Sequence, residues 1–151
     1  IDINPDCINY AREHSREIDR AVWIVSDYRV AMLPDPPDII FNSLFCHHFK
    51  DEDVSRCIAW MRDHAQLGFF INDLHRHGIA YHAIRLLTSA FSRSRLVRND
   101  APLSVSRGFR RTELERMAVA AIPGTEKRLW SLSWQWAFRW LLVYKKTEKT
   151  S

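Results

Sequence analysis

The sequence predicts an α/β chain: a three-layer sandwich on a mostly parallel sheet, closed by an antiparallel C-terminal hairpin. Three observations carry this reading. Short apolar runs rich in β-branched and aromatic residues alternate with stretches of helical periodicity. The runs end on polar residues, at Asp2, Ser26-Asp27-Tyr28, Asn42–His48 and Asn72–His75, where an open parallel sheet binds its ligands. The last two runs lie so close in sequence that they must fold back on each other. A chain of 151 residues suits a single domain over 1–151, and it shows no internal repeat.

Ile1-Asp2-Ile3 reads as the end of a buried strand with an acidic tip. Asn4 is a good N-cap, Pro5 suits the first helical position and Asp6 the first turn of a helix that carries Ile8, Ala11, Ser15 and Ile18. Ala21–Val25 is apolar and β-branched, the pattern of a buried parallel strand. Pro34-Asp35-Pro36-Pro37 excludes helix and reads as a loop. Asp38–Phe45 is the next strand. Asp51 can cap a helix with Val54, Cys57, Ile58 and Met61 on one face. Leu67–Ile71 is a strand ending at Asn72-Asp73.

A helix over 78–91 groups Ile79, Ala83, Leu86, Leu87 and Ala90, and 92–108 reads as polar, basic and irregular. Thr112 and Glu115 form a capping box for a helix that Pro123-Gly124 stops. Strands over Lys127–Trp134 and Ala137–Tyr144 make the hairpin, their tryptophans serving as packing, and a frayed tail follows from Lys145.

The formal charge is +4, with Lys and Arg dispersed along the chain. No nucleic-acid motif accompanies the charge, so solvated surface is the favoured reading. Three cysteines without framework spacing point to a reducing, cytoplasmic setting. No apolar run approaches the roughly 20 residues that span a bilayer. Cys46, His47, His48, His75 and His77 match no zinc spacing, so no metal is expected. GxSxG, P-loop and CxxC motifs are absent.

Taken in order, Ile1–Ala11, Ser26–Pro34, Asp38–Phe49 and Phe69–Asp73 resemble successive motifs of the class I S-adenosylmethionine-dependent methyltransferases, above all bacterial small-molecule and ubiquinone-methyltransferase-like members. The resemblance covers most of the chain and implies a Rossmann-like sheet whose last strand is antiparallel. It implies S-adenosylmethionine as cofactor and methylation of a small organic molecule at oxygen or carbon.

By position, Asp2 would hold the ribose hydroxyls, Ile3 would lie against adenine, and Asp27 would accept from the adenine amino group with Tyr28 beside it. Asn42, Ser43 and Leu44 would sit near the methionine end. Taken alone, Asp2 reads sooner as a helix-terminus charge and Asp27 as a turn residue; the order of the motifs favours the cofactor role for both. His47 or His48 would face substrate as a general base, a role that suits neutral imidazole. His75, His77 and Arg98 would contact substrate, with 78–108 as a lid; its apolar handles would be Tyr81, Phe91 and Leu103, the first two also fitting a core. Asn42-Ser43-Leu44-Phe45 stands where amine methyltransferases carry Asn-Pro-Pro-Tyr, which argues against an amine acceptor.

The family's glycine-rich loop has no counterpart, the glycines standing at 68, 78, 108 and 124. The N-terminal strand and helix of the fold are missing with it. The sequence therefore reads as the C-terminal part of a longer protein, with weak or no cofactor binding on its own and association of copies through an exposed sheet edge. The alternatives are a non-catalytic interaction module of the same fold and an RNA methyltransferase.

Overall fold

A computed structural model describes residues 1–15, 17–33 and 35–147. Pro34 of the expected loop and residues 148–151 of the expected tail lie outside the described residues. The chain divides into two compact units, Ile1–Asp35 and Pro36–Ser151; the single domain expected over 1–151 covers both.

In the first unit, α1 spans Pro5–His14, as its signals predict. The Asn4 side chain accepts from the Asp6 amide at 2.9 Å, Pro5 opens the helix and Ile8 is its buried residue. The two strands expected here do not form. Ile1–Ile3 and Ala21–Val25 meet in one parallel bridge, Asp2 to Val25, with the Asp2 amide donating to Ile24 O and the Ser26 amide to Asp2 O. Ile3 and Val22 are 72% and 71% exposed. A strand buried on both faces needs covering layers, and a unit this short contains one helix to supply them.

The second unit is α/β, built on a four-stranded sheet in the order β1-β2-β4-β3. Its elements are β1 (Ile39–Ser43), α2 (Asp51–His64), β2 (Gly68–Leu74), α3 (Gly78–Phe91), α4 (Arg95–Arg107), α5 (Arg111–Ala121), β3 (Trp130–Gln135) and β4 (Arg139–Lys145). β1 and β2 are parallel, in register from Ile39–Gly68 to Ser43–Asn72, and β4 runs antiparallel to both β2 and β3. The sheet is mixed: β1, β2 and β3 run one way, and β4 runs against them and forms the expected C-terminal hairpin with β3.

Alternation sets the core. Phe69, Ile71 and Asp73 of β2 stand opposite Tyr144, Leu142 and Trp140 of β4, and all are buried. Helix α2 packs on β1 and β2, and α5 packs on α2. Val54 and Ile58 of α2 and Leu142 are fully buried, each contributing about 1.5–3 kcal/mol. On the opposite face Phe41 stacks on Phe70 at 5.0 Å and remains 64% exposed.

Several boundaries differ from expectation. Residues 92–108 are not irregular: Ser94 caps α4, its hydroxyl accepting from the Val97 amide, and Pro102 lies buried within the helix. The capping carboxylate of α5 is Glu113, which accepts from the Arg110 amide at 2.8 Å, so the helix starts ahead of Thr112. Lys50 takes the cap position of α2, and Asp51 is its first helical residue. A 3-10 turn over Gly124–Leu129 delays β3 to Trp130. Helix α3 keeps its predicted span but buries Ala80 and Thr88, leaving Ile79, Leu86, Leu87 and Phe91 exposed. Among the described residues no helix is long and apolar enough to cross a membrane.

Candidate functional site

The carboxyl ends of β1 and β2 lie side by side because the two strands are parallel and in register. At the end of β1 the chain must leave the sheet abruptly. Leu44 does this at φ +56°, the left-handed region, where a bulky side chain carries about 1–3 kcal/mol of strain. Its amide donates to Asn72 O of β2 at 2.9 Å, and a 3-10 turn follows over Cys46–His48.

That turn closes over Asp73, which is wholly buried at the end of β2. The successive amides of Phe45, Cys46 and His47 donate to Asp73 Oδ2 at 3.2, 2.7 and 3.3 Å. Asp73 Oδ1 accepts from the Leu74 amide and from His47 Nδ1, each at 2.7 Å. The donors replace the water that a buried carboxylate loses. Because the carboxylate only accepts, His47 Nδ1 is the donor in this pair, which leaves Nε2 as the ring's other nitrogen.

His47 lines a cavity of about 560 Å³ within the second unit, a size that suits a small organic molecule. Leu44 and Leu74 form its floor, α3 and α4 contribute Ile84 and Val105, and the β3–β4 turn contributes Phe138. The polar side chains on its wall are His47, His48, His75, Ser104 and Arg139, and no acidic side chain lines it among the described residues. Partial burial, then the neighbouring His47, pushes the His48 pKa below the ordinary histidine value; burial, then His77, does the same for His75. Both shifts favour the neutral ring.

Of the expected site residues, the structure brings Leu44, His47, His48 and His75 together on this cavity. His77 and Arg98 are not part of its lining. His77 caps α3, Nδ1 accepting from the Ile79 amide at 3.2 Å, and its ring stacks on Phe138. Arg98 donates to Ser92 O and Ser89 O at the end of α3. Asn42 faces α2, its amide nitrogen 3.5 Å from Met61 Sδ, and Ser43 Oγ accepts from Asn72 at 3.2 Å. The expected lid, 78–108, is the α3–α4 pair that walls the cavity, but Phe91 is 83% exposed, not core.

In the first unit the Asp2–Val25 bridge sets Asp2 beside Ser26-Asp27. Asp2 Oδ1 accepts from the Asn4 amide at 2.8 Å, and Ile3 is exposed. Asp27 is paired with Arg29, whose guanidinium and amide hold its carboxyl at about 2. The Arg29 guanidinium stands 6.0 Å from the Tyr28 ring.

Sequence reasoning placed Asp73 among the strand-end candidates without giving it a role, and missed Arg139. The signal for Asp73 was its place at a strand end; for Arg139 there was none beyond a charge opening an apolar strand. Cys46 is buried, and its thiol is pushed well above the ordinary range by its hydrogen bond to Cys57 and by burial. Among the described residues no group of three or more His, Cys, Asp and Glu could hold a metal.

No family model matches the chain, and no curated protein matches it.

Proposed function

We propose that this protein transfers a methyl group from S-adenosylmethionine to oxygen or carbon of a small organic molecule, with His47 as general base. The observation that carries the reading is the buried Asp73–His47 pair at the wall of an otherwise largely apolar cavity. The sheet order supports a Rossmann-like methyltransferase: a parallel pair is followed by a reversed last strand, as the sequence resemblance implies.

S-adenosylmethionine supplies an already activated methyl group, so alignment and exclusion of water carry most of the rate. Within the first unit the bridge to Val25 sets Asp2 beside Asp27, and by the resemblance these two would hold the ribose hydroxyls and the adenine of the cofactor. His47 Nε2 takes the proton that the acceptor hydroxyl or carbon loses. Asp73 holds the ring by Nδ1 and stabilises the imidazolium that forms. Leu44, Leu74 and the α3–α4 walls keep water from the reacting atoms.

The test incubates the whole chain with S-adenosylmethionine and a panel of phenols and follows S-adenosylhomocysteine. Turnover is expected, and His47→Gln lowers kcat about 10²–10⁴-fold with cofactor affinity unchanged. Absence of cofactor binding by calorimetry would sink the reading. It would favour an interaction module, which the exposed Ile79, Leu86 and Phe91 of α3 suit.

A further inference from the structure

Two residues that line the cavity each carry a buried nitrogen without a partner. Arg139 Nη1 and His75 Nδ1 are both shut off from solvent, and neither meets a hydrogen-bond partner. Both residues line the same cavity. Arg139 opens β4, paired in register with Leu74, and His75 directly follows that leucine.

A desolvated guanidinium nitrogen with no acceptor is unfavourable, and a guanidinium stays protonated at any physiological pH. The nearby carboxylates do not relieve it. Asp73 is committed to the turn amides and His47, and Glu113 is paired with Arg76. With no acidic side chain on the wall, the Arg139 guanidinium is an uncompensated positive charge in apolar surroundings.

We propose that the cavity takes a small carboxylic acid as its anion, with the carboxylate on Arg139 and His75 and an apolar or aromatic body between α3, α4 and Phe138. This rests on the methyl-transfer reading and deepens it by naming the acceptor's class. A planar carboxylate matches the fork of a guanidinium, and His75 Nδ1, when it bears the proton of the neutral ring, donates to the same group. His47 stands on the same cavity, so the anchored acid presents its far end to the base. The carboxylate is then the handle, and the methylated atom is elsewhere on the molecule.

The experiment titrates the whole chain with 2-naphthoate and with neutral, nearly isosteric 2-naphthamide at pH 7, without S-adenosylmethionine. The acid is expected to bind at least tenfold tighter than the amide, a difference of about 1.4 kcal/mol. Arg139→Gln is expected to abolish that preference, bringing acid binding down to the level of the amide. Arg139→Lys, which keeps a cation on the strand, retains part of it and serves if the Gln variant fails to fold. Equal binding of acid and amide by the wild type, binding of neither, or a preference that survives in Arg139→Gln overturns the proposal. A separate titration with S-adenosylmethionine distinguishes the two claims. Acid selectivity without cofactor binding sinks methyl transfer and leaves the anion site standing, and the converse result sinks the anion site alone.

Discussion

Asp73 and His47 stand 26 positions apart, yet each fixes what the other can do. His47 was legible as a site residue because it follows a strand end. The role of its orienting partner was not, since an aspartate at a second strand end looks like any polar terminus until the register of β1 on β2 is known. Arg139 was illegible for the same reason: on a strand flanked by aromatics, a charge reads as outward-facing. Asp73→Asn turns an amide group toward donors that need an acceptor. It should lower stability by about 2–4 kcal/mol in urea unfolding. Asp27 is a simpler case. With its carboxyl held at about 2 by Arg29, the charged form is favoured in the fold. Its contribution to stability is full above the unfolded value near 3.8 and disappears as pH falls through about 2. Carbon-detected NMR titration should place the Asp27 midpoint near 2 and return it toward 3.8 in Arg29→Gln.

Elements with strong local signals formed where expected. Capping by Asn4 with Pro5 set α1, and the period of Val54, Cys57, Ile58 and Met61 set α2. Helix α4 was hidden because its apolar residues are few and Pro102 interrupts the pattern, while the Ser94 cap and packing against α3 sustain it. The apparent strand at Ala21–Val25 failed in the opposite sense: β propensity without a neighbour to pair gives only a bridge. Two predictions belong at this scale. Gly68 opens β2 at φ +152°, and a Cβ there would lie 2.1 Å from Tyr144 O of β4, so Gly68→Ala should destabilise by about 2–4 kcal/mol in thermal unfolding. Tyr144 ties β4 to the Gly124–Leu129 turn by donating to Glu126 at 2.8 Å, and burial followed by that carboxylate pushes its pKa up to about 12. The raised value makes its contribution complete below the unfolded value of 10 and lost as pH rises toward 12. Ultraviolet titration should show a tyrosine with a midpoint near 12 that Tyr144→Phe removes, at about 1 kcal/mol of stability.

In the second unit, packing is uneven. The face of the sheet under α2 is dense and buried, whereas α3 rests mainly on α4 and exposes Ile79, Leu86, Leu87 and Phe91. Hydrogen exchange should divide accordingly, with amides of α3 exchanging at least tenfold faster than those of β2, β4 and α2. Uniform protection would contradict that division. The division also explains how far sequence carries: α/β character follows from alternating periods, but which apolar faces find a partner depends on contacts between elements far apart in the chain.

The Asp73 clasp bears on the order of folding. Its bonds to Phe45, Cys46 and His47 join positions 28, 27 and 26 residues apart, so the turn cannot tighten until α2 has been laid down and β2 has docked beside β1. A contact between such distant positions is expected to form after the rate-limiting step and to act mainly on unfolding. In stopped-flow kinetics, Asp73→Asn should leave the refolding rate nearly untouched and put most of its effect into faster unfolding.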